Sequence, residues 1–225
     1  MNLEHRHLDP AIASERPPLL VLLHGYGANM DDLLSLGPMI DPRFRVVAAQ
    51  APVDLSPYGM PGGRAWFHLM MTPSGLDFDQ QEAAAAAAAA AEFVREARSA
   101  WPSDPDRTFV LGFSQGAMMA HAMLIDGSVP LAGAMCCSGR RIEALFDEHP
   151  DRPHLRELPI FISHGRQDDV IPVASGRAIR DWYARGPARV SYHEYDMGHG
   201  IGPECLEDMR SWIRPLLGAG APDAG

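Results

Sequence analysis

The sequence predicts an α/β fold in which a mostly parallel central sheet is covered by helices on both faces. Short apolar runs alternate with longer helical segments along the chain, and this alternation is typical of parallel sheets built from strand–helix units. Hydrophobic residues make up 46% of the 225 residues and charged residues 21%, which indicates a packed globular protein. We expect one domain over 1–225, with its core at about 18–217 and a flexible tail at 218–225.

The candidate strands are short segments rich in Val, Leu, Ile and aromatic residues, the composition that strands favour. Most of them are continuous apolar runs, which indicates burial on both faces of the sheet. In chain order they are 19–23, 44–49, 108–113, 131–137, 159–163 and 190–197.

The longest predicted helix, 78–101, contains nine consecutive alanines, and alanine has the highest helix propensity. Asp77 or Asp79 is its candidate N-cap, and Pro102 ends it. We expect its small side chains to let the helix pack closely on the sheet. The other predicted helices are 115–125, 174–184 and 203–217.

The motif Gly112-Phe113-Ser114-Gln115-Gly116 is the main indication of chemistry. It has the form G-x-S-x-G and separates a candidate strand from a candidate helix, which is the setting of a nucleophile elbow. Glycines on both sides of the serine permit a sharp turn, and the start of the following helix favours negative charge. An ordinary glycine-rich turn is the alternative, but the strand–helix context favours Ser114 as a nucleophile.

A serine nucleophile needs a base and an acid that orients it, and in sheets of this kind the order is Ser, Asp or Glu, His. Asp168 follows the fifth candidate strand, where catalytic groups of parallel sheets gather. Asp169 is its neighbour and competitor, and spacing alone does not choose between them. Two histidines follow: His193 falls inside the last candidate strand, whereas His199 lies on a glycine-flanked loop after it. We therefore predict His199 as the base.

Two backbone N–H groups are predicted to form an oxyanion hole. One belongs to Gln115, the residue after the nucleophile, and the other to the loop after an early strand. That loop reads His24-Gly25-Tyr26-Gly27, and its glycines allow a close backbone approach. Tyr26 is therefore the second predicted donor.

Segment 51–76 is long and holds four prolines and four glycines together with several large apolar residues. Long irregular segments in compact domains are often lids or binding loops. Two interpretations stay open. The segment is either a wall for an acyl chain, to which Met70 contributes a flexible apolar side chain, or a plain cover over the core.

Five segments carry a resemblance to a known family: LLHGYGAN, GRAWFHL, GFSQGAMMA, SHGRQDDVIP and YDMGHG, in this order. Over about 18–217 the chain resembles the small carboxylesterase and acyl-protein thioesterase family (the phospholipase/carboxylesterase group), and bacterial carboxylesterases in particular. The resemblance implies an α/β-hydrolase fold without a large cap domain. It also implies that Ser114, Asp168 and His199 are the catalytic residues, with Tyr26 and Gln115 as oxyanion donors.

The same resemblance bears on three points that the residues alone leave open. Its register places the acid three residues after the glycine of the second His-Gly pair, which favours Asp168 over Asp169. Trp66 matches an aromatic residue near the family's acyl site, which implies contact with substrate. Many members are dimers, which implies a homodimer here.

The formal net charge is −10 and the pI about 5.4. Such a surface repels phosphate groups, so we expect no nucleic-acid partner and no docking on anionic membranes. The apolar runs are far shorter than the ~20 residues that span a bilayer, and the first residues lack the pattern of a secretory signal. Cys136 and Cys137 lie in an apolar run as expected buried thiols. We predict a cytoplasmic protein without integral membrane association.

The predicted function is that of a serine carboxylesterase acting on a short- to medium-chain, small-molecule ester. We expect no organic cofactor and no metal, because the histidines form no HExxH motif and the cysteines no CxxC cluster. An acyl thioesterase or lysophospholipase with the same residues is the first alternative. A non-catalytic ligand-binding protein of this fold is a further one, against which the complete set of Ser, Asp and His argues.

Overall fold

A computed structural model describes residues 1–72, 75–147 and 149–218 of the chain. The strands within these ranges are β1 (His5–Leu8), β2 (Leu19–Leu23), β3 (Arg45–Ala49), β4 (Val53–Asp54), β5 (Arg64–Ala65), β6 (Met70–Thr72), β7 (Gly75–Asp77), β8 (Thr108–Phe113), β9 (Gly133–Cys137), β10 (Pro159–Gly165) and β11 (Arg189–Tyr195). The helices are α1 (Leu36–Ile40), α2 (Gln80–Ala100), α3 (Gln115–Asp126), α4 (Val173–Tyr183) and α5 (Pro203–Leu216). The tail that we expect to be flexible lies outside the described residues from 219 onward.

One sheet organises the described chain, with the strand order β1-β3-β2-β8-β9-β10-β11. β1 runs antiparallel to β3, and every other pair of neighbours is parallel. This is the mostly parallel sheet predicted from the alternating strands and helices. Because β8, β9 and β10 are neighbours and parallel, their carboxyl ends bring three loops together at one edge.

Successive side chains of a strand point to opposite faces of the sheet, and both faces of the central strands are covered, so these strands are apolar throughout. In β2, Leu19, Val21 and Leu23 belong to the core layer beneath α2, α3 and α4. Leu20 and Leu22 belong to the opposite layer, which contains buried residues of α1 and α5. The sheet therefore has helices on both faces, as predicted, and all five residues of β2 are buried.

Helix α2 uses its alanines to pack closely. Asp79 is its N-cap, and its carboxylate accepts hydrogen bonds from the backbone N–H groups of Gln81 and Glu82, which settles the choice between the two candidate caps. The buried face repeats at helical spacing and consists largely of alanine: Ala83, Ala86, Ala87, Ala90, Ala91 and Ala97. Small side chains on this face let the helix approach the sheet, as expected from the alanine run.

The sequence pattern missed the edge of the sheet. β1 carries the polar sequence HRHL and is largely exposed, so it lacks the apolar run by which the inner strands were found. α1 is only five residues long and contains Pro38, which disfavours a helix prediction. The ends of the predicted elements shift by a few residues; for instance, the strand predicted at 131–137 begins at Gly133.

Segment 51–76 is more regular than predicted. β4 pairs with β5 and β6 with β7, both antiparallel. Part of the segment is core, since Leu55, Ala65 and Phe67 are buried. Tyr58 and Met70 are instead exposed, at 64% and 49%. The segment therefore covers the core with one set of side chains and presents apolar groups to solvent with another.

Candidate active site

The turn between β8 and α3 holds Ser114 in a strained backbone conformation. Its φ of 55° and ψ of −116° lie in a region that residues with a side chain rarely occupy. A Cβ at Gly112 would stand 2.2 Å from the carbonyl oxygen of Gly116, and one at Gly116 would stand 1.8 Å from that of Leu23. Glycine is therefore required at both flanking positions, and the turn has the form of a nucleophile elbow.

Ser114 is the first member of a continuous hydrogen-bond chain. Its Oγ lies 2.9 Å from Nε2 of His199, and Nδ1 of His199 lies 2.7 Å from Oδ2 of Asp168. The hydroxyl can donate to Nε2 while Nδ1–H donates to the carboxylate, which is the arrangement that lets a histidine accept the serine proton. The Phe113 ring packs against the imidazole, with ring centroids 4.9 Å apart.

Backbone groups fix the carboxylate of Asp168. Its Oδ1 accepts hydrogen bonds from the N–H groups of Val170 at 3.0 Å and Ile171 at 2.8 Å, which leaves Oδ2 for His199. The Asp168 side chain is fully buried, whereas its competitor Asp169 is exposed. The structure thus brings Asp168, and not Asp169, to the histidine.

The competing histidine, His193, lies elsewhere. It stacks on Phe161 with ring centroids 4.8 Å apart, as expected for a cross-strand packing residue. Its Nε2 lies 2.8 Å from Oγ of Ser191 and its Nδ1 3.3 Å from Oδ2 of Asp208. These side chains form a second Ser–His–Asp chain on β11 and α5. Its serine, Ser191, is an ordinary strand residue, whereas Ser114 lies in a strained elbow.

The loop predicted to supply an oxyanion donor lies against Ser114. A Cβ at Gly25 would stand only 3.2 Å from Cβ of Ser114, so glycine permits the close approach. Gly27 has a φ of +80°, which glycine adopts readily. Among the described residues, no acceptor takes a hydrogen bond from the backbone N–H of Tyr26 or Gln115. The described chain therefore leaves both predicted donors without an acceptor.

The buried side-chain amide of Gln115 connects the turn after β8 to the loop after β2 through hydrogen bonds. Oε1 of Gln115 accepts from the backbone N–H of Trp66 at 3.0 Å, and its Nε2 donates to the carbonyl of Phe67 at 2.9 Å. Nε1 of Trp66 in turn donates to the carbonyl of His24 at 2.9 Å. Gln115 is thus linked through segment 66–67 to the loop that carries Tyr26. The sequence motif contained Gln115, but nothing in it indicated these side-chain contacts.

His24 stabilises the same loop as a neutral imidazole. Its Nε2 accepts from the backbone N–H of Ala51 at 3.1 Å, so Nδ1 carries the proton and donates to the carbonyl of Gly25 at 2.7 Å. Burial lowers the pKa of His24 below its usual 6.5, which keeps Nε2 available as an acceptor. This role was not foreseen from the sequence.

The two predicted substrate-contacting residues have different surroundings. Trp66 is 1% exposed and hydrogen-bonded to the carbonyl of His24 as described above, and its contact with substrate stays a prediction. Met70 is half-exposed on β6, and its contact with an acyl chain stays a prediction. β6 pairs with β7, and residues 73–74 lie outside the described residues.

The described residues contain neither a metal-ligand cluster nor a membrane-spanning helix. No group of three or more His, Cys, Asp or Glu side chains in these ranges is arranged to hold a metal ion. No helix in them is both long and apolar enough to cross a bilayer. The three cysteines are buried and unpaired, and burial raises the pKa of the Cys136 thiol, as expected for inert thiols.

Comparisons with known proteins point to one family. A family model described as Phospholipase/Carboxylesterase matches residues 10–217. A putative hydrolase, MhqD, of Bacillus subtilis is 26% identical over 206 residues and covers 88% of this chain and 94% of its own length. Acyl-protein thioesterase 1 of Cryptococcus neoformans is 24% identical, with coverage of 96% and 98%. The crystal structure of the Bacillus cereus carboxylesterase has a TM-score of 0.79 at 22% identity, covering 95% and 94%.

Proposed function

Because the chain belongs to the phospholipase/carboxylesterase family of α/β-hydrolases, we propose that it is a serine carboxylesterase that hydrolyses short- to medium-chain esters through an acyl-enzyme on Ser114. The observation that carries this proposal is the hydrogen-bond chain from Ser114 through His199 to Asp168, at a strained elbow. Its nucleophile stands beside two backbone N–H groups that no described residue uses.

In the first half-reaction, Oγ of Ser114 attacks the carbonyl carbon of the ester while its proton passes to Nε2 of His199. The imidazolium that forms is stabilised by Asp168, to which Nδ1–H already donates. The carbonyl oxygen becomes an oxyanion, and the N–H groups of Tyr26 and Gln115 stabilise its charge. His199 then returns the proton to the departing alcohol, and the acyl group stays on Ser114.

In the second half-reaction, His199 takes a proton from water as the water attacks the acyl-enzyme. The same two N–H groups stabilise the second tetrahedral intermediate, and Ser114 leaves with the proton that His199 gives back. Each step uses side chains and backbone groups of this chain. Fixed donors need no reorganisation at the moment of reaction, which is why such groups contribute strongly to the rate.

A p-nitrophenyl ester series of increasing acyl length, assayed on the purified protein, tests the proposal. We expect turnover to be best for short to medium chains and to disappear in Ser114→Ala. Ser191→Ala is the matched control, because Ser191 also lies within hydrogen-bond distance of a histidine but outside the elbow. Best turnover of long chains would contradict the substrate range, and full activity in Ser114→Ala would contradict the mechanism.

A thioesterase activity of the same residues is the second candidate. The observation that favours it is the likeness to a protein named acyl-protein thioesterase 1 over nearly its whole length. The rates on an acyl-CoA, a lysophospholipid and a simple ester of the same chain length separate this candidate from the first. A cytoplasmic location and a homodimer remain predictions, and gel filtration with light scattering tests the second of them.

A further inference from the structure

His164 is a completely buried histidine beside Asp168 that the proposed mechanism does not use. It belongs to β10 and precedes Asp168 by four positions, and neither side chain has any exposed surface. Nε2 of His164 lies 2.7 Å from the carbonyl oxygen of Ile171 and 3.4 Å from Oδ2 of Asp168. The ring therefore faces the loop at 168–171 with one nitrogen, and both neighbours of that nitrogen are oxygen atoms.

These neighbours fix the position of the proton on the His164 ring. A carbonyl oxygen and a carboxylate oxygen are both acceptors, so Nε2 carries hydrogen and donates to the closer one, the carbonyl of Ile171. Nδ1 is buried and has no hydrogen-bond partner among the described residues. Because a buried polar atom without a partner costs free energy, an apolar side chain of similar size would fill this place at lower cost. The donor at Nε2 is what distinguishes histidine from such a side chain.

Ile171 connects this donor to the carboxylate of Asp168. Its carbonyl accepts from His164, and its own N–H donates to Oδ1 of Asp168 at 2.8 Å. The other oxygen, Oδ2, lies 2.7 Å from Nδ1 of His199 and 3.4 Å from Nε2 of His164. One N–H group of His164 therefore anchors the residue that holds Oδ1, and its partial positive charge attracts the oxygen that orients His199.

The surroundings of His164 leave its ring little room to move. A Cβ at Gly176 on α4 would stand 2.6 Å from Nδ1 of His164, so the helix lies directly against the ring. The next residue along β10, Gly165, lies against the loop that carries His199, because a Cβ there would stand 2.2 Å from the carbonyl oxygen of Gly198. The end of β10 thus supports the loop of the carboxylate and the loop of the imidazole together.

We propose that His164 is a positioning residue for ester hydrolysis, whose Nε2–H group fixes the orientation of the Asp168 carboxylate and, through it, the imidazole of His199. This inference rests on the proposed esterase activity and adds a fourth side chain to its hydrogen-bond chain. Because His164 is fully buried behind Asp168, it acts on the carboxylate and not on the substrate. Its contribution should therefore appear in kcat, and it should vanish when the carboxylate is absent.

Three substitutions separate the donor from the bulk of the ring. His164→Leu removes the donor, His164→Asn keeps a polar group that reaches only to the place of Nδ1, and His164→Gln carries an amide N–H to the place of Nε2. On a p-nitrophenyl ester, kcat should fall about 10- to 100-fold in the leucine and asparagine variants, because small misplacements of reacting groups have effects of this size. KM should change little, and His164→Gln should recover most of the lost kcat.

A double-variant cycle with Asp168→Asn tests whether His164 acts through the carboxylate. If it does, His164→Leu should lower kcat by less than about twofold once Asp168 has been replaced, since residues that act as one unit are not additive. A separate structural effect would lower kcat by the same factor in both backgrounds.

His121→Leu is the matched control. His121 is also a buried histidine, and one of its ring nitrogens has no partner among the described residues. It lies on α3, where Nδ1 is 3.1 Å from the Tyr183 hydroxyl of α4. His121→Leu should keep wild-type kcat, whatever its effect on the free energy of unfolding. Urea unfolding of each variant shows which of them are folded.

Wild-type kcat in a folded His164→Leu or His164→Asn protein overturns the inference, and so does an undiminished effect of His164→Leu in the Asp168→Asn background. Equal losses of kcat in His164→Asn and His164→Gln also overturn it, because the donor at Nε2 would then be irrelevant. This last comparison decides the inference if the leucine variant does not fold. Absence of Ser114-dependent hydrolysis by the wild-type protein would instead overturn the proposed function.

Discussion

Asp168 uses its two carboxylate oxygens for different purposes. Oδ1 is held by the backbone N–H groups of Val170 and Ile171, and Oδ2 accepts from His199. Nε2 of the buried His164, which lies 2.7 Å from the carbonyl of Ile171, is also 3.4 Å from Oδ2. A carboxylate fixed in this way holds the imidazole in the tautomer that leaves Nε2 free to accept the serine proton.

The first prediction concerns this carboxylate. Asp168→Asn should lower kcat by roughly 10³–10⁴-fold with little change in the fold, because an amide in place of Oδ2 can favour the wrong imidazole tautomer. Steady-state kinetics on a p-nitrophenyl ester measures the effect, with circular dichroism as the check on folding. The matched control is Asp169→Asn at the exposed neighbouring position, which should keep wild-type kcat. Equal losses in the two variants would contradict the assignment.

At the scale of elements, three pieces of the chain build the proposed oxyanion hole. The turn from β8 to α3 supplies Gln115, the loop after β2 supplies Tyr26, and segment 66–67 joins them through the Gln115 amide and the Trp66 ring. The motifs in the first two pieces predicted the donors. Segment 66–67 could not be assigned this role, because Trp66 and Gln115 are 49 positions apart and only the folded chain brings them together.

The second prediction tests this connection. Gln115→Ala leaves the N–H of Trp66 and the carbonyl of Phe67 without partners, so the free energy of unfolding should fall by about 2–4 kcal/mol. The backbone donor at position 115 remains but is less well placed, so kcat should fall about tenfold while KM changes little. Denaturant unfolding and steady-state kinetics measure the two effects.

A transition-state analogue separates positioning from plain stability. Binding of a trifluoromethyl ketone should weaken in Gln115→Ala by the same factor as kcat/KM, since both depend on the oxyanion donors. Gln115→Glu keeps an acceptor for the Trp66 N–H and should lie between wild type and the alanine variant. Gln81→Ala, at an exposed position on α2, is the control. If Gln115→Ala is less stable but keeps wild-type kcat and inhibitor binding, Gln115 has only a structural role and the positioning claim is contradicted.

At the scale of the whole molecule, the sequence was most informative where burial is complete. The inner strands are apolar on both faces, so continuous runs such as LLVLL located them to within a few residues. The edge strand β1 escaped prediction because it is polar and its partner β3 is distant in sequence. The short hairpins of segment 51–76 escaped it because strands of two or three residues are too short to show a pattern. The burial of Trp66, which is 1% exposed, is likewise a property of the folded chain that its place in the sequence did not indicate.

The third prediction concerns the stability of the whole chain against acid. His121 is buried between α3 and α4, where its Nδ1 lies 3.1 Å from the Tyr183 hydroxyl, and burial lowers its pKa from 6.5 to about 3. In the unfolded chain His121 is therefore protonated below about pH 6.5, whereas in the folded chain it is protonated only below about pH 3. The free energy of unfolding should therefore fall as the pH drops from about 6.5 to about 3. Below about pH 3, His121 should cause no further loss.

Each pH unit inside the window is worth about 1.4 kcal/mol, so His121 should account for roughly 2 kcal/mol of the loss between pH 6.5 and pH 5. His24, whose pKa is also lowered by burial, adds to the slope with the same sign. Urea unfolding at several pH values measures how the free energy of unfolding depends on pH. His121→Asn should flatten the dependence, whereas His149→Asn, at an exposed position, should not. An unchanged slope in His121→Asn would contradict the argument.

Covalent labelling by a serine-directed inhibitor is the most direct test of the central claim, that Ser114 is the nucleophile. The purified protein is treated with a fluorophosphonate, and the modified peptide is identified by mass spectrometry. We predict one adduct per chain, located on Ser114, which is absent in Ser114→Ala, strongly slowed in His199→Ala and retained in Ser191→Ala. A folded wild-type protein that stays unlabelled, or an adduct on another residue that persists in Ser114→Ala, would contradict the claim that Ser114 is the nucleophile.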